Sequence, residues 1–246
     1  MTMQTTKAYK NNEFLMSEEA RTVRILCEYL EPQRRLAQQN IRRAVAFFGS
    51  ARSEPHTEGE AGPTPDYYSI AVDMAERLAH WTCETHRPND RYYLVTGGGP
   101  GIMQAVHEGA ARVHAGLNVG LNISLPFEQH LNDHLTAQNA FEFHYFFMRK
   151  FWFMNLARGA VVFPGGFGTF DELFELLTLV QTGKAPLMPV VLFGSEFWNE
   201  ALDFQALARR GLISEEDLEL FRICDDIDVA VSHMVSGLEP EARPRR

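Results

Sequence analysis

Three times along this chain a short apolar run ends in a turn of glycine and small residues that opens a helical pattern: "AVAFFGSAR" at 44–52, "YYLVTGGGPGIMQAV" at 92–106 and "AVVFPGGFGT" at 160–169. Two further runs, "NVGLNIS" at 118–124 and "MPVVLFG" at 188–194, are apolar without a polar alternation. Strands of that kind are buried on both faces, which calls for a mainly parallel sheet in an α/β fold with helices on either side. Ligands of such sheets collect at the carboxyl ends of the strands, so the turns at 49–52, 97–101 and 165–169 are expected to converge on one crevice.

With 246 residues, 45% of them hydrophobic, the chain can bury the core of one α/β domain. Residues 1–43 read as an N-terminal helical extension, with helical spacing over 17–39, Val23, Leu26 and Leu30 on one stripe packed on the core, and Pro32 interrupting it. The catalytic domain is expected to run from 44 to 238, with a frayed tail at 239–246 and a mobile polar loop at 53–65. Within it, helical spacing covers 67–80, "FHYFF" at 143–147 reads as a strand or extended segment, and a helix is expected over 148–158. A helix from Thr169 to about Gly183 would bury Phe170, Leu173, Phe174, Leu177 and Val180.

The net charge of −9, without a clustered basic surface, argues against nucleic acid as a partner, because phosphate-backbone binding needs many grouped cations. Three cysteines, Cys27, Cys83 and Cys224, without C-x-x-C spacing, indicate buried inert thiols, neither a disulfide framework nor a zinc site. No apolar run approaches the ~20 residues that cross a bilayer, and the first residues lack a signal-peptide core, so no membrane partner and a cytoplasmic location are expected.

Neither glycine turn carries the lysine of a G-x-x-x-x-G-K-[ST] loop, and Ile102 stands where a dinucleotide fingerprint needs its last glycine. Both turns nonetheless offer N–H groups at helix starts, and two of them around one crevice suit a phosphorylated small molecule. The alternative is that these glycines only make tight turns.

"FGSAR", "GGGPGIM", "LNISLPFEQ", "FFMRKFWF" and "PGGFGTFDELFE", in this order, resemble the LONELY GUY family of phosphoribohydrolases, long labelled lysine decarboxylases. The resemblance covers about 44–202 and is most specific in M-R-K at 148–150 followed by P-G-G-x-G-T-x-x-E at 164–172. It implies a Rossmann-like, doubly wound fold, a homodimer or larger assembly, and cleavage of a nucleoside 5′-monophosphate into free base and ribose 5-phosphate. No metal or organic cofactor is implied.

By the same resemblance Arg149 and Glu172 are the catalytic pair. The glycine turns supply Gly49, Ser50, Gly98, Gly99, Gly101, Pro164, Gly165, Gly166, Gly168 and Thr169 to the substrate. Met103, Met148, Lys150 and Asp171 complete the candidate set: the methionines pack on a purine face or simply in the core, Asp171 binds a ribose hydroxyl or only favours the helix start, and Lys150 has a supporting role. N-glycosidic cleavage builds positive charge on the anomeric carbon, which a carboxylate stabilises, and a helix N-terminus would keep Glu172 ionised.

Glu172 has a plainer reading, in which Thr169-Phe170-Asp171-Glu172 is a T-x-x-E capping box. A protein that carries a phosphorylated nucleotide-like ligand without turnover, as a molybdenum-cofactor carrier does, is the competing functional reading; retention of both Arg149 and Glu172 favours the enzyme.

Overall fold

The computed structural model describes residues 5–57, 64–125 and 130–239. It is a seven-stranded sheet in the order β4-β3-β2-β1-β5-β6-β7, with every neighbouring pair parallel. The strands are β1 (Ala44–Phe48), β2 (Tyr93–Thr96), β3 (Asn118–Ile123), β4 (Ala140–Phe143), β5 (Ala157–Val162), β6 (Val190–Phe193) and β7 (Arg222–Cys224). The chain moves outward from β1 to β4 and returns to β5 on the other side of β1. Strand order therefore reverses between β1 and β5, and a doubly wound sheet opens its ligand crevice at the carboxyl ends of that pair.

Helices α3 (Tyr67–Thr85), α4 (Ile102–His114) and α9 (Ile227–Leu238) cover one face, packing Ala75, Val106 and Met234 on Val45, Phe47 and Val161. The other face carries α2 (Arg21–Gln38), α5 (Phe146–Leu156), α6 (Phe167–Gln181), α7 (Ser195–Ala201) and α8 (Phe204–Arg209), with Trp152, Phe153, Leu173 and Trp198 in its core. A short α1 (Asn12–Met16) precedes α2. The expected Rossmann-like α/β architecture is the one observed; the loop at 53–65 and the tail at 239–246 lie partly outside the described residues.

Five local expectations are corrected. Pro32 sits inside α2 instead of interrupting it. Proline cannot donate to the carbonyl four residues back, and that carbonyl, Glu28 O, instead accepts the Trp152 indole N–H at 3.0 Å. The stripe of Val23, Leu26 and Leu30 faces away from the core, at 42%, 53% and 50% exposure; Pro32 and Leu36 make the buried contact. The strand and helix after 139 begin earlier than their apolar run suggested, because the Glu28 carboxylate accepts the His144 and Tyr145 N–H groups at 2.8 and 3.2 Å and fixes the entry to α5. Cys27 is exposed, not buried, while all three thiols are unpaired. On α6 the buried apolar side chains are Leu173, Leu176 and Val180, and Phe174 turns outward.

Candidate functional site

At the carboxyl ends of β1 and β5 lies an open cavity of about 580 Å³, within the usual range of small-molecule sites. One wall is the turn after β1, with Gly49, Ser50, Ala51 and Arg52. Facing it is the start of α6, from Gly166 to Thr169. Met103, Ile123, Leu125 and Phe146 make an apolar side, and Arg149 and Glu172 close the floor.

The turns are interlocked. Ser50 N–H donates to Pro164 O at 3.0 Å, and Ile102 N–H donates to Ser50 O at 3.0 Å. Gly101 has φ +68, and a Cβ there would fall 2.3 Å from Ser50 O; only glycine fits that seat. A Cβ on Gly49 would meet Ile102 at 2.8 Å, and one on Gly165 would meet Thr169 Oγ1 at 2.1 Å. Gly97 leaves room for Met103, whose sulfur would lie 2.7 Å from a Cβ at that position.

This nesting divides the predicted residues. Gly49, Ser50, Met103, Arg149, Gly166, Gly168, Thr169 and Glu172 line the cavity. Gly98, Gly99 and Gly101 are buried behind it and the first N–H of α4 is taken by Ser50 O, whereas the start of α6, from Gly166 to Thr169, lines the cavity. Pro164 and Gly165 brace the β1 turn from behind. Met148 is buried beneath the site. Lys150 and Asp171 pair with each other at 3.0 Å, with Glu175 at 2.7 Å from the same ammonium, tying α5 to α6 beside the cavity.

Gly166, not Thr169, is the N-cap of α6, and it offers no side-chain cap. A pair of glycines before Phe167 lets the chain turn three residues sooner than the threonine signal suggests. Thr169 is thereby inside the first turn and Glu172 a turn beyond it, which removes the capping box. Among the described residues no side chain caps the first-turn N–H groups at the cavity wall, the arrangement that attracts an anion.

Glu172 instead accepts from Arg149 Nη2 at 2.6 Å, and both side chains are nearly buried. Burial pushes the Glu172 carboxyl up to about 7 against the opposing pull of the Arg149 guanidinium. The expected effect of the helix start in keeping Glu172 ionised is therefore overridden by desolvation. The Arg149 guanidinium also lies over the Phe146 and Phe153 rings, 5.2 and 5.8 Å from their centroids, within cation–π range of both.

Arg52, Gly97 and Phe167, which belong to the turns expected at the crevice but were not named as substrate contacts, also line the cavity, as do Ile123, Leu125 and Phe146, which were not singled out from the sequence. Arg52 and Phe167 stand inside quoted motifs, and only the direction of their side chains, set by the turns, brings them to the wall. Phe167 is 95% exposed at the rim.

Comparison with known proteins follows the same lines. A family described as "Possible lysine decarboxylase" matches residues 103–234. A Mycobacterium marinum (strain ATCC BAA-535 / M) protein named cytokinin riboside 5′-monophosphate phosphoribohydrolase is 29% identical over 148 residues, 58% of this chain and 77% of its own. Among solved structures, the structural-genomics protein TM1055 superposes with a TM-score of 0.52 at 19% identity, over 79% of this chain and 99% of that one. The molybdenum cofactor binding protein of the phototrophic bacterium Rippkaea orientalis does so with a TM-score of 0.50 at 17% identity, over 80% and 98%. These two share the fold. With the match spanning more than half of the 246 residues, the chain belongs to the "Possible lysine decarboxylase" family, the LONELY GUY family that its motifs resemble.

Proposed function

We propose that this protein hydrolyses the N-glycosidic bond of a nucleoside 5′-monophosphate, with a purine as the base, to free base and ribose 5-phosphate. The observation that carries the reading is the buried Arg149–Glu172 pair on the floor of a cavity whose opposite wall is an uncapped helix start. The phosphate lies against the N–H groups of Gly166, Phe167, Gly168 and Thr169, with Ser50 and Arg52 across from them. Among the described residues Arg52 makes no ion pair and is exposed to the cavity, so its guanidinium is available to the ligand. The base lies on the apolar side, between Met103 and Phe146.

In that pose the anomeric carbon is above Glu172. As the bond from that carbon to the base nitrogen breaks, its electron pair leaves with the base and positive charge grows on the sugar. The Glu172 carboxylate stabilises that charge and takes a proton from the attacking water, whose oxygen bonds to the anomeric carbon; a proton is returned to the departing base nitrogen, which restores the carboxylate and leaves water as the only co-substrate. A group that titrates near neutral pH is matched to that exchange, and Arg149 holds the carboxylate in place. Lys150, Asp171 and Glu175 support the pair by locking α5 against α6.

A chromatographic screen of purine and pyrimidine monophosphates for released base tests the activity and names the base. The competing carrier reading has the fold shared with the Rippkaea protein on its side; tight binding of a monophosphate without release of base would establish it in place of the enzyme.

We further propose a homodimer or larger assembly in which a second copy covers the exposed stripe of α2 and the outward rings of Phe147 and Phe151 on α5.

A further inference from the structure

Behind the cavity wall lies a buried polar network that the proposed chemistry does not use. Thr96 ends β2, His107 is on α4, and Asn132 belongs to the segment between β3 and β4; all three are buried. Thr96 Oγ1 accepts the Gly98 N–H at 2.9 Å and lies 3.2 Å from His107 Nε2. His107 Nε2 is also 3.2 Å from Val119 O, an acceptor only, so that nitrogen carries the proton and Nδ1 accepts from Asn132 Nδ2 at 3.1 Å. Asn132 closes the ring from the other side: with one amide hydrogen on His107 Nδ1, the other is shared between Gly98 O at 3.0 Å and Gly99 O at 3.1 Å, while its backbone N–H donates to Gly98 O at 2.9 Å.

Burial holds the imidazole neutral, with its titration pushed down to about 4. A neutral ring with fixed donor and acceptor sides is a spacer, and here it spaces the two groups that grip the 97–101 turn. Gly98 has φ +74, and a Cβ there would come within 3.1 Å of both Leu131 and Leu135, so the 130–135 segment sits directly on the turn. The turn in turn abuts the site: Gly101 rests on Ser50 and Ala51, and Ile102 N–H holds Ser50 O.

We propose that Thr96, His107 and Asn132 are positioning residues for the ligand cavity, holding the 97–101 turn rigid and, through its contact with Ser50 and Ala51, setting the place of the 49–52 wall. The contact chain is continuous, and each of its steps is a hydrogen bond or a glycine seat too tight for a side chain. The link to nucleotide binding rests on the proposed function; the link between the two turns does not.

The test compares Thr96→Val, which removes the hydroxyl at nearly constant volume, with Thr96→Ser, which keeps the hydroxyl and loses a methyl. Two readouts are taken: hydrogen exchange of peptides covering 49–52 and 97–101, and the Kd for AMP. Positioning predicts faster exchange in both turns for Thr96→Val and near wild-type exchange for Thr96→Ser. It also predicts an AMP Kd raised at least ~10-fold in the valine variant, the size of one lost hydrogen bond, and within about threefold of wild type in the serine variant. Asn132→Ala opens the clamp from its other side and should reproduce the valine pattern if Thr96→Val fails to fold. Faster exchange confined to 97–101, or serine and valine variants that lose affinity alike, would overturn the proposal. A wild-type protein that binds no AMP would remove the nucleotide reading alone, leaving the exchange result to decide the coupling of the turns.

Discussion

Glu172 is the sixth residue of α6, nearly buried, with one firm partner in Arg149. Its folded value of about 7 against 4.5 for a free carboxyl fixes the sign of its effect on stability. Below 4.5 both folded and unfolded chains hold the proton; between 4.5 and about 7 only the folded chain does, so this group's contribution is lost as pH rises through that window. Urea unfolding of wild type and Glu172→Gln at pH 5 and pH 8 should show wild type losing stability relative to the variant at the higher pH. An unchanged gap would mean that the carboxyl is not desolvated as described. Across the cavity, Arg52→Ala should raise the KM for AMP by roughly 10–100-fold, the worth of a hydrogen bond to a charged group, while leaving the rate with adenosine unaltered. Equal losses for the two substrates would remove Arg52 from phosphate binding. Arg149 and Glu172 were legible because M-R-K and the glycine motif name them, though they stand far apart in the chain. Arg52 was not, since a lone arginine after a strand carries no local signal of where its guanidinium points. The position of Glu172 in its helix was misread for a physical reason: threonine is the better N-cap by propensity, but two glycines ahead of Phe167 let the turn close earlier.

Helix α2 shows how elements settle conflicts that the sequence leaves open. Pro32 argues for a break, and the helix continues because a tryptophan from α5 supplies the missing donor to Glu28 O. Trp152→Phe should therefore cost about 1–3 kcal/mol, part of it an unsatisfied carbonyl. Adding Pro32→Ala, which restores a backbone N–H four residues after Glu28, should recover most of that loss, as a double-mutant cycle of unfolding free energies would record. Strict additivity of the two substitutions would contradict this account of the uninterrupted helix. The five central strands were legible as apolar runs, and β4 was displaced only because the Glu28 carboxylate, remote in sequence, captures the residues that follow it. Helical spacing on α2 identified a stripe correctly and assigned it to the wrong side: periodicity finds an apolar face without saying what it faces.

For the whole molecule, the reversal of strand order between β1 and β5 explains why motifs from three parts of the chain meet at one cavity. Parallel topology was readable from the buried strands, but which two strands flank the crevice depends on strand order, and that is a property of long-range packing. The exposed side chains of Val23, Leu26, Leu30, Phe147 and Phe151 bear on assembly. Light scattering should return a multiple of the 28.0 kDa chain mass at micromolar concentration. Leu26→Asp together with Leu30→Asp should shift it toward one chain. A single-chain mass for the unaltered protein would contradict the assembly.

Incubation with AMP, followed by chromatography for adenine, tests the proposed chemistry most directly when wild type and Glu172→Gln are run side by side. Glutamine keeps an acceptor for Arg149 while it removes the charge and the proton-accepting carboxylate. Wild type should release adenine and ribose 5-phosphate in equal amounts, with kcat/KM rising as pH passes about 7 and Glu172 ionises. The variant should bind AMP with similar affinity and turn it over at least ~100-fold more slowly, the scale of lost acid–base and electrostatic assistance. A wild-type protein that releases no base from any nucleoside monophosphate, or a Glu172→Gln variant that keeps most of its turnover, would contradict the proposed reaction.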